Sequence, residues 1–566
     1  MKVLLVGINA KYIHTNLAIR YLRNSIEELP IEVSIYEPSI NNHFDDVLMN
    51  IYIQKPDILG FSCYIWNIEM VNKLCSSLSK VLPDTKIVLG GPEVSFETVD
   101  YLKQHPYIHC IIKGEGEIPF KKVIQAINTG VSIENIPAVM TKNTDNNMGE
   151  VPDLTDRIFP YNGEDLTALS QQILYYEASR GCPFSCSYCL SSTTHGVRYV
   201  DVEKVKKELE LISQATSMIK FVDRTFNCDI DKTIDILTFI KNLDTETTFH
   251  LEISAHLITE ELLNLLEQMP LNRIQLEIGV QTTNEESVKA IQRSTNFKKI
   301  KEIVSRVNHF NNIHQHLDLI AGLPYENFES FKKSFNDVMA LKPHKLQLGF
   351  LKLLKGSKIR EESGLHQYKF NEFAPYEILE SKYIKFHEMI KLKGIEHLLE
   401  TFYNSHKFEK TMEYLHGKLG NYFEVYEKIY EFYQEKNLVG ANISHNDLYQ
   451  LLEEFSELVD VPKNVFMEIL KYDYLLHKRT NTLPEFFGEK TKLKERVFEF
   501  LKDPSNIEKY IPHFSDIRPT EIYKQIIVEK FAVNPISLKE EVVYLLFDYK
   551  SKEGLFEKPR VLEINI

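Results

Sequence analysis

The sequence lacks what a secreted or membrane-spanning chain would carry. No apolar run approaches the roughly 20 residues that cross a bilayer. The opening "MKVLLVG" leads straight into "INAKYIH", without the long apolar region and small-residue cleavage site of a signal peptide. Cysteine is sparse and odd in number, 7 in 566 residues, so no disulfide framework is expected and a reducing cytoplasm is the natural setting. Positive charge is in deficit: the formal net charge is −14, which argues against a broad surface for DNA or RNA. No Walker phosphate loop occurs. No G-x-G-x-x-G follows the first apolar run, and "GEGEIP" puts Pro119 where a third glycine would fall. Internal repeats and low-complexity tracts are missing too. What remains, 43% hydrophobic and 26% charged, is an ordinary globular composition in a chain too long for a single core.

Three regions follow from the hydrophobic pattern. Residues 1–145 alternate short continuous apolar runs ("KVLLVGI", "EVSIYEP", "ILGFSCY", "KIVLGGP", "IHCIIKGEGE") with amphipathic helices. That pattern predicts an α/β, doubly wound parallel sheet whose ligand sits beyond the carboxyl ends of its strands. Residues 146–170 lose periodicity and gain Asn, Asp, Pro and Gly, and read as a linker. Residues 171–365 resume the alternation with six strand patterns ("ILYYEAS", "IKFVD", "FHLEIS", "RIQLEIGV", "HLDLIAG", "KLQLGFL"), predicting a partial (β/α)6 version of the parallel barrel. Residues 366–566 are mostly helical and dense in Tyr and Phe, with a β-hairpin expected around "KSKEG" near the end.

The chemistry concentrates in "YYEASRGCPFSCSYCLSS", where Cys182, Cys186 and Cys189 are spaced C-x3-C-x2-C just after the first barrel strand. Barrel sites form at that carboxyl end. Three thiolates are one short of a closed tetrahedral site. His195, completing C-x3-C-x2-C-x5-H, is one way to close it around zinc. The other reading is an iron–sulfur cluster with one iron left open to chelate a small molecule.

"RGCPFSCSYC", with its aromatic Tyr188 before the third cysteine, resembles the signature of radical S-adenosylmethionine enzymes. The resemblance implies that Cys182, Cys186 and Cys189 hold a 4Fe-4S cluster whose open iron binds S-adenosylmethionine. Reductive cleavage of that cofactor then yields a 5′-deoxyadenosyl radical. It further implies cofactor contacts at the strand ends: Tyr188 by the adenine, Asp223 and Arg224 at the methionine part, Glu252 and Ser254 near the ribose, Gln281, and Gly322 where backbone approaches the adenine. As ordinary polar residues, these would simply terminate strands.

The loops "GFSCY", "LGGPEVS" and "KGEGE" resemble the cobalamin-binding domain that precedes the barrel in one large class of that family. The resemblance implies a cobalamin pocket lined by Ser62, by Gly90, Gly91 and Pro92, and by Gly114, Glu115, Gly116 and Glu117. The D-x-H-x-x-G axial-ligand motif is not matched: around His14 the chain has Tyr12 and Leu17 in place of Asp and Gly, so His14 reads as a helix-entry residue rather than a cobalt ligand.

The implied function is a cobalamin-dependent radical S-adenosylmethionine enzyme whose leading reaction is methyl transfer to an unactivated carbon, with cyclisation, ring contraction or rearrangement as the alternative to it. It implies a flavodoxin or ferredoxin-type electron donor and a small-molecule substrate. Two alternatives remain. Cys63, Cys75 and Cys110 raise a methylthiotransferase acting on tRNA or protein with a second cluster, against small buried core cysteines. A cluster-and-corrinoid sensor is the non-enzymatic option. In the C-terminal region, Tyr474 and His477 lie three apart on a helix; His477, Lys478 and Arg479 either greet an acidic substrate or are the solvated basic end of an aromatic packing stripe.

Overall fold

The computed structural model describes residues 1–193, 196–480, 482–488 and 492–566. Its first sheet contains β1 (Lys2–Val6), β2 (Glu32–Tyr36), β3 (Ile58–Ser62), β4 (Lys86–Gly90), β5 (Ile108–Ile112) and a short antiparallel β6 (Val139–Met140). Their order is β2-β1-β3-β4-β5-β6, with β1 to β5 all parallel. Successive residues go to opposite faces: Leu4, Val6, Leu59, Phe61 and Leu89 fill one apolar cluster, Val3, Leu5, Ile58, Val88 and Ile112 the other. A sheet covered on both sides needs both sets apolar, which is why these strands read as unbroken hydrophobic runs. The order turns back at β1, with β2 on one side and β3 on the other. This switch point opens a crevice beyond the carboxyl ends of β1 and β3.

The same arrangement disposes of three cysteines. Cys63 and Cys75 lie in the first cluster and Cys110 in the second, on the far face of the sheet, all three buried. Burial raises each thiol's pKa, Cys110 to about 12. They are core residues, and a sheet separates Cys110 from the other two, so they do not assemble a second cluster.

Residues 146–170 are no free tether. Arg157 is buried and donates to Glu208 Oε2 at 2.5 Å, and Asp165 in the short helix Gly163–Ala168 pairs with Arg23 at 2.7 Å. Both charges remain invisible to composition because their partners lie far along the chain.

The second sheet begins with β7 (Leu174–Tyr176). Next come β8 (Ser179–Gly181) and β9 (Val197–Tyr199), a separate antiparallel pair that bracket the cysteine segment. The sheet then continues through β10 (Met218–Phe221), β11 (Thr248–Ile253), β12 (Ile274–Gln281), β13 (His314–Ala321) and β14 (Lys345–Phe350), in the order β14-β13-β12-β11-β10-β7. All six expected strands are present in sequential order. Several intervening helices open on a side-chain cap: Asp201, Asp229, Thr259 and Asn284 each accept a backbone N–H of the first turn. A small pair, β15 (Lys369–Phe370) and β16 (Ile378–Glu380), follows.

The remainder is a run of helices, the longest being Phe386–Phe402, Tyr422–Glu435 and Lys463–His477. It ends in an antiparallel sheet of β17 (Ile526–Phe531), β18 (Val543–Glu553) and β19 (Lys558–Ile564). The expected hairpin is therefore the outer part of a three-stranded sheet, and its turn falls at residues 554–557 rather than on "KSKEG". Tyr474 is buried among Tyr449 and Phe487, so the stripe it starts is a packing stripe. By contacts the chain divides into two compact units, residues 1–307, 320–327 and 349–385 against 308–319, 328–348 and 386–566. The dividing line crosses β13 and β14, whose carboxyl ends stay with the first unit. No described helix is long and apolar enough to cross a membrane.

Gly91 shows how tightly the first sheet closes. Its φ is +112°, and a Cβ there would meet the Cys63 carbonyl oxygen at 2.5 Å. Gly91→Ala is expected to lower stability by about 2–3 kcal/mol. Gly130→Ala, also left-handed but facing open space, should cost only about 1 kcal/mol. Denaturant unfolding of the two variants checks the difference.

Candidate active site

The three thiols sit on a loop whose ends are clamped together. Ser179, Arg180 and Gly181 pair with Tyr199, Arg198 and Val197 across the β8–β9 ladder. Gly181 is required there: its φ is +110°, and a Cβ would strike the Gly196 carbonyl oxygen at 2.1 Å. Inside the loop, Ser187 N donates to Ile291 O at 2.9 Å, Ser187 O accepts from Ile359 N at 3.0 Å, and Cys189 N donates to Cys186 O at 3.1 Å. Cys182, Cys186 and Cys189 are free thiols. They are near enough to influence one another: burial raises the Cys186 thiol pKa, Arg293 opposes that rise, and Cys189 and Cys182 add to it. His195 lies outside the described residues. Among the described residues no fourth ligand closes this group. Three thiols on a stiff loop fit an open-vertex cluster.

Arg293 was missed in the sequence, where it is one cation in a polar helix-turn segment. Its Nη1 donates to the Tyr188 hydroxyl at 3.0 Å and toward Cys186 Sγ at 3.7 Å, while Nη2 donates to Gly279 O at 2.6 Å. It fastens the cysteine loop to the end of β12.

Asp223 also acts on this loop. It is fully buried, accepting from Ala178 N at 3.0 Å and Ser179 Oγ at 2.5 Å. Burial drives its pKa up to about 7, although both hydrogen bonds favour the charged form. Both carboxylate oxygens thus hold the chain entering the thiol loop. Arg224 beside it is exposed. Its charge reaches Glu252, whose pKa burial raises and Arg224 draws back, and Tyr64 at the end of β3.

At the next strand ends, Ser254 is gripped by Asn227, which accepts from Ser254 N at 2.8 Å and donates to Ser254 O at 2.9 Å. The Ser254 hydroxyl pairs with His256 Nδ1 at 2.8 Å, and Phe184 of the cysteine loop rests on that imidazole at 5.5 Å. Gln281 is buried with φ +69°, and its Oε1 has no partner among the described residues. A buried unsatisfied amide oxygen next to the thiol loop is what a ligand's donor would fill. Gly322 has φ +92°, and its carbonyl accepts from the Tyr368 hydroxyl at 3.1 Å.

The register reveals a lining that the strand ends alone concealed. Tyr175, Lys220, His250 and Gln275 stand side by side across β7, β10, β11 and β12, with Glu252 and Glu277 adjacent one layer higher. His250 Nε2 pairs with Glu277 Oε2 at 2.8 Å. The alternate residues, such as Ile219, Phe221, Phe249, Leu251, Ile274 and Leu276, are buried and apolar. Ordinary barrels fill their interior with branched aliphatic side chains; this one has a polar inner face, suited to a ligand. The signal was readable as alternation within "IKF", "FHLEI" and "IQLEIG".

At the first sheet's carboxyl end, Ser62 Oγ accepts from Asn16 Nδ2 at 2.9 Å. Gly91 O accepts from Ser95 Oγ at 2.8 Å, and Gly114, with φ +71°, donates its N–H to the same hydroxyl at 3.3 Å. The Gly90 carbonyl accepts from Cys63 N at 2.7 Å, and Gly116 packs near Leu22. Pro92 starts a short 3-10 turn that buries Glu93, which accepts from the Tyr376 hydroxyl and pairs with Lys355 at 3.2 Å. Tyr64 and Trp66 stack at 4.4 Å with planes 5° apart, and Trp66 remains 44% exposed. This flat, partly exposed aromatic pair, following β3, fits a broad planar ligand. His14 donates its ring to another purpose: Nδ1 pairs with the Tyr175 hydroxyl at 2.8 Å. Glu115 and Glu117 pair with Arg180.

Comparison with known proteins matches residues 3–124 to a B12 binding domain, residues 176–338 to the radical SAM superfamily, and residues 364–547 to a protein family of unknown function, DUF4080. The chain is 24% identical over 365 residues to the cobalamin-dependent radical SAM methyltransferase TokK of Streptomyces tokunonensis, covering 56% of this chain and 50% of that one. It is 25% identical over 322 residues to the 2-(S-pantetheinyl)-carbapenam-3-carboxylate methyltransferase of Streptantibioticus cattleyicolor, covering 52% and 46%. The chain thus spans about half the length of these curated relatives. In fold it resembles the cobalamin-dependent S-adenosylmethionine radical enzyme OxsB, with TM-score 0.59, 15% identity, and 84% and 79% of the two chains covered.

Asp223 generates a prediction with a definite sign. Its folded pKa of about 7 lies above the ordinary aspartate value of about 3.9, so the folded state holds the proton more tightly. That contribution is complete below pH 4 and is lost as pH rises toward 7. Asp223→Asn should remove this dependence, so that the stability change between pH 4 and pH 7 differs between the two proteins by on the order of a few kcal/mol. Denaturant midpoints measured across that range, wild type against variant, check it.

Proposed function

A chain that carries a B12 binding domain ahead of a radical SAM domain is, we propose, a cobalamin-dependent radical S-adenosylmethionine methyltransferase acting on an unactivated carbon of a small molecule. The observation that carries this reading is the clamped loop of three free thiols at the carboxyl end of a barrel with a polar inner face. When bound, a 4Fe-4S cluster and S-adenosylmethionine supply a radical able to abstract hydrogen, and cobalamin supplies a methyl carrier. Cys182, Cys186 and Cys189 would hold the cluster. Tyr188, Arg224, Glu252, Ser254, Gln281 and Gly322 are the proposed shelf for S-adenosylmethionine, with Asp223 fixing the loop behind it. Support for that shelf comes from the orphaned Gln281 oxygen and the shared rim these residues occupy. Ser62, Gly90, Gly91, Pro92 and the Gly114–Glu117 loop are the proposed edge of the cobalamin pocket, the glycines offering backbone and the Tyr64–Trp66 pair a flat floor.

The chain's own residues set the conditions for chemistry. The β8–β9 ladder and Asp223 hold the thiols in place without closing the fourth position. Lys220 and the hydrogen-bonded His250–Glu277 pair present polar groups to a substrate inside the barrel. A low-potential electron is needed, and a flavodoxin or ferredoxin in the cytoplasm is the proposed donor. We place the domains at residues 1–145, 171–365 and 366–566, joined by the strap at 146–170.

Anaerobic purification with cobalamin supplied, followed by reconstitution, tests the reading. Expected are about four iron atoms per chain, bound corrinoid, and both S-adenosylhomocysteine and 5′-deoxyadenosine as products. Cys182→Ala, Cys186→Ala and Cys189→Ala should each lose the cluster and 5′-deoxyadenosine together. A wild-type preparation holding a full cluster yet producing neither nucleoside would sink the proposal.

A further inference from the structure

Arg180 stands two residues before Cys182, and three carboxylates surround its guanidinium. Nη1 donates to Glu115 Oε2 at 2.6 Å. Nη2 donates to Glu117 Oε1 at 2.8 Å and Glu177 Oε2 at 2.9 Å, and Nε to Glu177 Oε1 at 2.8 Å. The side chains are only 19% exposed for Arg180 and 16%, 20% and 8% for Glu115, Glu117 and Glu177. Arg198, directly across the ladder from Arg180, takes the other oxygen of Glu115. The Tyr21 ring lies 5.7 Å from the Arg180 guanidinium.

The origins of these groups matter more than their number. Glu115 and Glu117 flank Gly116 in the turn after β5, the turn whose Gly114 backbone lies at the first sheet's carboxyl end. Glu177 follows β7, and Arg180 itself belongs to the ladder that closes the thiol loop. One planar fork therefore ties the two loops on which the two proposed cofactors would rest. Such bonds are charge-assisted and directional, and the fork reads two carboxylates at once in a way an ammonium does not. Because the group is largely buried, a shift of either loop must carry the other along or leave a carboxylate unpaired in poor solvent. A network of this kind has few intermediate arrangements.

We propose that Arg180 is a positioning residue that couples the two sites: seating a corrinoid against the Gly114–Glu117 loop and assembling the cluster on the Cys182–Cys189 loop strengthen one another through its guanidinium. The inference rests on the assignment of both sites proposed above. Linkage makes the effect reciprocal, so whichever group binds first raises affinity for the other by the same factor.

The test uses the full chain in two forms, cluster-loaded and cluster-free after anaerobic chelation, with hydroxocobalamin as the probe and its dissociation constant as the readout. In wild type the cluster-loaded form is expected to bind about tenfold tighter. Arg180→Lys keeps the charge and loses the fork; Glu117→Gln keeps the shape and removes one carboxylate. In both, the ratio of the two dissociation constants should fall to about one, with unfolding midpoints and iron content confirming folded, loaded protein. A purely architectural Arg180 would lower the midpoint and leave the ratio intact. Should Arg180→Lys not fold, Glu117→Gln decides. A wild-type ratio of one, or a ratio that survives in the folded variants, overturns the coupling alone. No hydroxocobalamin binding to either wild-type form removes the cobalamin assignment and the coupling with it.

Discussion

A loop that gathers three free thiols, with no fourth ligand among the described residues, has to be held stiff, and the first compact unit is organised around that demand. Stiffness comes from outside the loop. The β8–β9 ladder joins its ends, and Gly181 permits the close approach by lacking a side chain. Asp223 reaches from the end of β10 to fix the chain just before it, and Arg293 reaches from beyond β12 to fix Tyr188. Each anchor arises from a different strand–helix connection, so the geometry of the thiols is inherited from the whole sheet. Disordering any one connection would leave the others to bear the loop, which is how a small open site stays ordered before a cofactor arrives.

Charged groups join apolar burial in holding these loops. Glu115, Glu117 and Glu93 all follow strands of the first sheet, and all three find cations or a phenol from later segments. Acidic residues that composition would place in solvent are instead the fasteners between loops. The Tyr64–Trp66 stack takes no part in these fasteners, and Trp66 stays exposed.

Much of this was legible in the sequence, and the failures have physical reasons. Unbroken apolar runs announced the parallel sheets because both faces are covered, and the C-x3-C-x2-C spacing announced the loop because local chain geometry decides which thiols can converge. Asp223 and Glu115 were also found, yet as candidate ligand contacts; the structure shows them bonded to Ser179 and Arg180. Position at a strand end is a local property, whereas the partner of a charged side chain is a property of the fold. Arg157 and Arg293 were missed for the same reason, since nothing near them in the chain hints at Glu208 or Tyr188. β17 was overlooked because "IIVEKF" is too short to distinguish from the helical pattern around it.

The polar inner face of the barrel has a consequence for how such a chain can change. Lys220, His250, Glu252 and Glu277 are not what the hydrophobic core is made of; the alternate residues on the same strands carry that burden. Exchanging Lys220 or Glu252 would change the polarity of the inner face while leaving the packing beneath the helices in place, whereas the buried His250–Glu277 pair has to change together to avoid stranding one partner. Adaptability and durability are assigned to opposite faces of one sheet.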